Sequence, residues 1–170
     1  VQIAGGFIDF QMGFAMANIV DPQTGAQSPL MGQFFSFLLL LVFLAINGHH
    51  LVLDGIFYSY QFMPIDQFFP KFGDVESIEY IMKLFVAVFA IAFQMSAPII
   101  ATLFLVTLAL GITGKTVPQL NIFVVGFPIK IAVGFILLVT MMGVMVEVME
   151  KVIEMGIMGM RNLMIVLGGS

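Results

Sequence analysis

The sequence contains no cysteine and no tryptophan, and charged residues make up only 9% of its 170 positions. The absence of cysteine excludes disulfides, thiolate catalysis and cysteine-ligated metals. Six Lys and Arg side chains are too few for a basic nucleic-acid-binding surface, so no nucleic-acid partner is expected. Soluble domains carry about 25% charged residues. The shortage of charge, combined with 61% hydrophobic residues, indicates a membrane protein.

The beginning of the chain has no recognisable targeting segment. Residue 1 is valine, and no basic stretch precedes an apolar core of the kind that a signal peptide contains. Without an initiator methionine, the sequence is expected to be the later part of a longer protein.

The region around which the chain is organised is 4–32, where a polar loop separates two apolar segments. Residues 1–20 predict the end of a helix that is rich in small residues, and Asp21-Pro22 is expected to stop it, because proline disfavours the α conformation of the preceding residue. Asp9 is ionisable within this apolar run and should face a protein partner or a wet cavity. Irregular backbone persists at membrane depth only where protein or a water-filled cavity surrounds it. We therefore interpret the loop as the functional element.

Residues 30–46 form the next apolar segment, with a length of roughly 17 residues at the lower limit for crossing a membrane. Asn47-Gly48-His49-His50 provides turn chemistry at its end. Residues 51–63 are too short to span and predict an interfacial or protein-covered helix. A polar, acidic linker is expected over 64–79.

The second half predicts a helical hairpin. Its spans are 83–112, where Pro98 predicts a kink or tilt, and 122–146, with a tight polar connection at 113–121. From Glu147 onward the pattern favours an amphipathic helix that enters the headgroup layer, with Glu147 and Lys151 as an i,i+4 ion pair. The fold predicted is all-α, a polytopic membrane protein with bent helical hairpins.

Two sets of side chains are candidates for chemistry. His49, His50 and Asp54 could be metal ligands, but a metal centre needs three or four ligands and the sequence has no other histidine, so a polar contact at a span end is the favoured interpretation. Lys130 could couple to an ion, yet neither neighbouring span contains a carboxylate. The alternatives are that Lys130 extends to the membrane interface or pairs with a neighbouring subunit.

Three separated blocks are similar to one known family. IDFQMGFAMANIVDPQTGAQSP, FLAINGHH and TLALGITGKTVPQLNIFVVGFPIKIAVG occur in family order and together resemble the FliR family, which comprises flagellar biosynthetic proteins of the bacterial type III export gate and their injectisome counterparts. Relative to that family, roughly the first third would be missing. The resemblance implies a non-enzymatic channel subunit without cofactors, in the bacterial inner membrane within the flagellar basal body.

The resemblance also implies partners. The family works in a hetero-oligomeric helical assembly with FliP-like, FliQ-like and FlhB-like subunits, in contact with membrane lipid, and its substrates are exported unfolded flagellar proteins. By this resemblance, residues 1–82 would be FliP-like helices with the loop and acidic linker, and 83–170 a FliQ-like hairpin with an amphipathic C-terminal helix.

Two groups of residues acquire expected roles from the same resemblance. The pore plug would consist of Phe14, Met16, Ile19, Val20, Asp21, Pro22, Gln23, Thr24, Gly25 and Gln27. Contacts with other subunits or at the cytoplasmic entrance would be made by Asn47, Gly48, His49, Lys115, Pro118, Gln119, Asn121, Pro128 and Lys130. Two alternatives are a secondary transporter of a small solute, suggested by broken helices and Lys130, and an intramembrane metal enzyme built on His49 and His50.

Overall fold

The computed structural model describes residues 1–14, 29–62, 75–117, 119 and 121–168. Among these residues the regular secondary structure is entirely α-helical. The helices are α1 (Gln2–Met12), α2 (Leu30–Ala45), α3 (Gly48–Phe62), α4 (Val75–Thr116) and α5 (Ile122–Gly168). The all-α prediction is confirmed.

Helix α1 ends earlier than the sequence pattern suggests. Gly13 takes the left-handed conformation, with φ of 91°, and its amide bonds the carbonyl oxygens of Asp9 and Phe10. Glycine adopts this conformation without steric cost and often follows the last residue of a helix. The prediction that one helix runs without interruption to residue 20 was therefore wrong at Gly13. The predicted stop at Asp21-Pro22 lies outside the described residues.

Helices α2 and α3 form a bent pair. Between them Asn47 has a φ of 56°, and the two helix axes differ in direction by 74°. Helix α2 matches the predicted segment 30–46 to within one residue. Helix α3 begins three residues before the predicted start at 51, so Gly48, His49 and His50 form its first turn instead of a connecting turn.

Helices α4 and α5 are longer than the predicted spans. Helix α4 has 42 residues and already begins at Val75, so the predicted linker 64–79 was wrong over its last five residues; the ion pair between Glu79 and Lys83 (2.8 Å) lies along this helical stretch. Pro98 lies inside the continuous helix. Helix α5 has 47 residues and continues through residue 146 without a break, so the expected separate C-terminal helix is its second half.

The apolar character of these helices fits a membrane. Among the described residues, two helices are long and apolar enough to cross a bilayer, and the bent pair of α2 and α3 would make a third if it is one span. A helix of 42 residues rises about 63 Å, roughly twice the thickness of a hydrocarbon core. The protein is thus an all-α polytopic membrane protein.

The chain forms two compact units, each made of separate stretches of sequence. The first contains Val1–Leu38 and Ala92–Val146, and its buried side chains include Ile8, Met12 and Phe35. The second contains Leu39–Ile91 and Glu147–Ser170, and buries Ser77 and Met149. The predicted boundary between residues 82 and 83 follows from family resemblance and stays a prediction.

Candidate functional site

The first feature of the site is a buried carboxylate that caps a helix. Asp9 on α1 is 2% exposed, and its Oδ2 accepts a 2.9 Å hydrogen bond from the backbone N–H of Met31 in the first turn of α2. Backbone N–H groups at a helix N-terminus lack intrahelical partners and carry a partial positive charge, so a carboxylate stabilises them. Asp9 thus has the protein partner that an ionisable residue in an apolar run requires.

A pair of glycines brings α1 and α2 close together beside this cap. A Cβ atom at Gly5 would overlap the backbone nitrogen of Gly32 and lie 2.6 Å from the carbonyl carbon of Met31. The two backbones can approach this closely only because glycine has no side chain, as in closely packed membrane helices. The cap and the glycine contact together hold α1 against the first turn of α2, on the two sides of the segment 15–28.

The predicted plug falls almost wholly within that segment. Phe14 is described and is half-buried directly after Gly13. The other predicted plug residues lie outside the described residues: Met16, Ile19, Val20, Asp21, Pro22, Gln23, Thr24, Gly25 and Gln27. Their assignment to a plug stays a prediction.

The second feature is a cavity of about 380 Å³ in the same compact unit. It is lined by Phe10 of α1, Thr107 of α4, and Phe123, Phe127 and Lys130 of α5. Lys130 is half-buried there and forms no ion pair or hydrogen bond with any described residue. The sequence holds no carboxylate between Glu79 and Glu147. A cation in apolar surroundings favours a partner of opposite charge.

Glycines shape the walls of this cavity. A Cβ atom at Gly13 would lie 3.0 Å from the ring of Phe127, and one at Gly126 would lie 3.2 Å from Cδ1 of Leu110. Pro128 is exposed on the same helical turn as Lys130. Lys130 lines the cavity, whereas the assignment of Pro128 and Lys130 to subunit or entrance contacts stays a prediction. The aromatic lining was not predicted, because ordinary apolar positions in a membrane helix give no signal of a cavity.

The predicted entrance residues lie at the connection between α4 and α5. Lys115 is exposed in the last turn of α4, and Gln119 and Asn121 are exposed beyond it. Oδ1 of Asn121 accepts a 3.1 Å hydrogen bond from the amide of Phe123, which makes Asn121 the N-cap of α5. Pro118 lies outside the described residues.

The remaining predicted contacts belong to the second compact unit, at the bend between α2 and α3. A Cβ atom at Gly48 would meet the ring of Phe43 at 2.5 Å. The centroids of the His49 and His50 rings are 4.2 Å apart, and Nδ1 of His49 is buried without a hydrogen-bond partner among the described residues. The described residues contain no group of three or more potential metal ligands. Asn47, Gly48 and His49 thus lie at the bend between the two helices, and their assignment to subunit contacts stays a prediction.

One predicted electrostatic contact is confirmed on α5. Nζ of Lys151 lies 2.8 Å from Oε1 of Glu147, one helical turn away. Both side chains are exposed, so the pair adds little to the stability of the fold.

Comparison with known proteins places the chain in a family. Residues 1–156 match the family described as "Bacterial export proteins, family 1". Over 170 residues the chain is 59% identical to the flagellar biosynthetic protein FliR of Bacillus subtilis (strain 168), an alignment that covers 100% of this chain and 66% of that protein.

More distant relatives include flagellar and secretion proteins. The chain is 32% identical over 145 residues to FliR of Escherichia coli (strain K12), covering 84% of this chain and 53% of that protein. It is 30% identical over 139 residues to the Yop proteins translocation protein T of Yersinia pestis, covering 82% and 53%. The chain therefore spans between about half and two thirds of the length of these relatives. None of these names denotes an enzyme, and with most of its length matched, the chain belongs to family 1 of the bacterial export proteins.

Proposed function

We propose that this chain is part of a channel-forming subunit of a bacterial type III protein-export gate, in which the loop from Phe14 to Gln27 plugs the closed pore. The relatives are named for flagellar biosynthesis and for translocation of Yop proteins, which supports the export apparatus as the setting. Unfolded flagellar proteins would be the substrates. The location would be the bacterial inner membrane, within the flagellar basal body.

The observation that carries the proposal is the close packing of α1 against the start of α2, on the two sides of the predicted plug. The Asp9 cap and the Gly5–Gly32 contact hold α1 against the start of α2. A polar loop in a membrane protein needs a protein-walled or aqueous setting, because lipid cannot satisfy its backbone groups. A segment attached at both ends can be displaced by a passing chain and return without the flanking helices separating.

Partner subunits are the second part of the proposal. The exposed apolar side chains are numerous, and the half-buried Lys130 faces a cavity with no described counter-charge. We assign the cavity side of α5 to contact with a FliP-like or FliQ-like subunit that supplies a carboxylate to Lys130. The connection with Lys115, Gln119 and Asn121 is assigned to the cytoplasmic entrance, next to an FlhB-like subunit.

The test is a deletion in the complete gene product, assembled with its partners. Removal of residues 20–27 should leave assembly intact and make the gate permeable to small ions, measured as current across a bilayer that contains the purified complex. A matched control replaces the same residues by a glycine–serine segment of equal length, which should leak less because it still occupies space. A deletion complex that assembles and stays as impermeable as the parent would refute the plug.

The transporter alternative predicts a different result in liposomes. A secondary transporter would move a small solute in the absence of any partner, whereas the export subunit requires its assembly. The relatives named above are flagellar and secretion components and none is named for solute transport, so the export function is the conclusion.

A further inference from the structure

A second groove lies between α3 and α5, in the second compact unit, and encloses about 230 Å³. Leu51, Asp54 and Tyr58 contribute from one face of α3. Met160, Arg161 and Met164 contribute from one face of α5. A Cβ atom at Gly55 would lie 2.9 Å from Cε of Met160, so the glycine lets the two helices approach beside the groove.

The groove contains two opposite charges that do not pair with each other. The carboxylate of Asp54 and the guanidinium of Arg161 both line it, yet neither forms an ion pair with any described residue. By contrast, Lys151 of the same helix is paired with Glu147 at 2.8 Å. Both side chains are exposed, so a ligand that carries one charge of each sign can pair with both of them.

The character of α3 indicates the depth of the groove in the membrane. Tyr58 and Tyr60 are 58% and 62% exposed, and the helix also carries Asp54 and Ser59. Tyrosine is enriched at membrane–water interfaces, where its ring is among lipids and its hydroxyl group meets water. Helix α3 also turns by 74° away from the apolar helix α2. The exposed tyrosines and the polar side chains favour a position of α3 at the membrane interface.

We propose that this groove binds a phospholipid whose headgroup carries both a phosphate and a primary ammonium group, as in phosphatidylethanolamine. Arg161 donates hydrogen bonds to phosphate oxygens, for which the planar guanidinium is well suited. Asp54 accepts hydrogen bonds from the ammonium group, and Leu51, Met160 and Met164 contact the apolar part of the lipid. The site is independent of the export role.

The chemistry of the headgroup predicts that the groove distinguishes between phospholipids. Phosphatidylcholine has the same charges, but its quaternary ammonium has no N–H group to donate to Asp54. Phosphatidylglycerol has the phosphate without any cation, so Asp54 would face it unpaired. Loss of one charge-assisted hydrogen bond corresponds to about a tenfold weaker binding.

The experiment is native mass spectrometry of the complete gene product, extracted with its partners. The three lipids, with identical acyl chains, are added at equal concentration in detergent. Phosphatidylethanolamine should be retained about tenfold better than the other two. Asp54→Asn should abolish its preference over phosphatidylglycerol, and Arg161→Gln should weaken retention of phosphatidylethanolamine about tenfold. Glu150→Gln, at an exposed position outside the groove, should change neither.

A charge exchange and a soluble competitor complete the test. The double variant Asp54→Arg/Arg161→Asp should retain phosphatidylethanolamine better than either single reversal, because the groove again holds one charge of each sign. Free phosphoethanolamine should fail to displace the lipid, since it lacks the acyl chains. The proposal is overturned by equal retention of the three lipids, by an Asp54→Asn variant with unchanged preference, or by displacement with phosphoethanolamine. Loss of a copurified polypeptide from Arg161→Gln, with lipid retention unchanged, would instead make the groove a protein interface.

Discussion

The backbone amide of Met31 lies 2.9 Å from Oδ2 of Asp9, although 22 residues separate the two in sequence. This hydrogen bond joins the only described acidic side chain of α1 to the start of α2, across the segment 15–28. Asp9, a residue of α1, thus caps the N-terminus of α2. Its strength can be measured by substitution.

Substitution of Asp9 by alanine should destabilise the protein by about 1–3 kcal/mol, because the amide of Met31 loses its acceptor in a buried site. For a protein of this size, each kcal/mol corresponds to a fall in the melting temperature of about 2–4 °C. The melting temperature is measured as the loss of the helical circular dichroism signal on heating in detergent. Asp9→Asn keeps a side-chain oxygen as acceptor and should lose less. Equal melting temperatures for Asp9→Ala and the parent would show that the cap contributes nothing.

The glycine contact predicts opposite effects for two identical substitutions. Gly5→Ala should lower the melting temperature, because the new Cβ would overlap the backbone of Gly32 and the helices must separate. Gly143→Ala, in the interior of α5 with nothing within 4 Å of the new Cβ, should raise stability by up to about 1 kcal/mol through helix propensity. The same thermal measurement on the separately purified chain compares them. If both substitutions stabilise, α1 and α2 are not in close contact.

The bend between α2 and α3 depends on the positive φ of Asn47. Asn47→Ala should cost about 1 kcal/mol, because a Cβ without a locally bonding polar group is disfavoured in the left-handed region. Asn47→Gly should be neutral or slightly stabilising at this position. Chemical denaturation of the two variants, followed by circular dichroism, ranks them. An alanine variant as stable as the glycine variant would contradict the left-handed conformation.

If a partner subunit pairs with Lys130, its substitution should weaken assembly without destabilising the isolated chain. Lys130→Met removes a half-buried cation with no described partner, so the isolated chain should be at least as stable as the parent. Retention of partner subunits during purification should fall about tenfold or more, since a carboxylate on the partner would lose its counter-charge. Lys151→Met, whose cation is paired within the chain, should leave retention unchanged. Unaltered retention with Lys130→Met would favour a side chain that extends to the membrane interface.

Several elements of the fold could be predicted from local sequence. The long apolar runs that became parts of α4 and α5 predict these helices by length and hydropathy alone. The shorter apolar segment that became α2 also predicts its helix. The pair of Glu147 and Lys151 follows from the spacing of one helical turn. The helix boundaries were harder to predict. Gly13 ends α1 by adopting the left-handed conformation, which a glycine permits but does not require. The amphipathic stretch after Val146 continues helix α5 and does not form a separate helix.

The sequence by itself determined the class of the protein, a helical membrane chain, because a deficit of charge and long apolar runs are sums over residues that need no contacts. Tertiary structure alone decided that the amide of Met31 bonds Asp9, and that Asp54 and Arg161 line the same groove. A single sequence does not indicate that residues 22 or more than 100 positions apart lie close together. Their proximity depends on helix packing, and in this chain that packing includes glycines such as Gly5 and Gly55, whose missing side chains set how closely the helices approach.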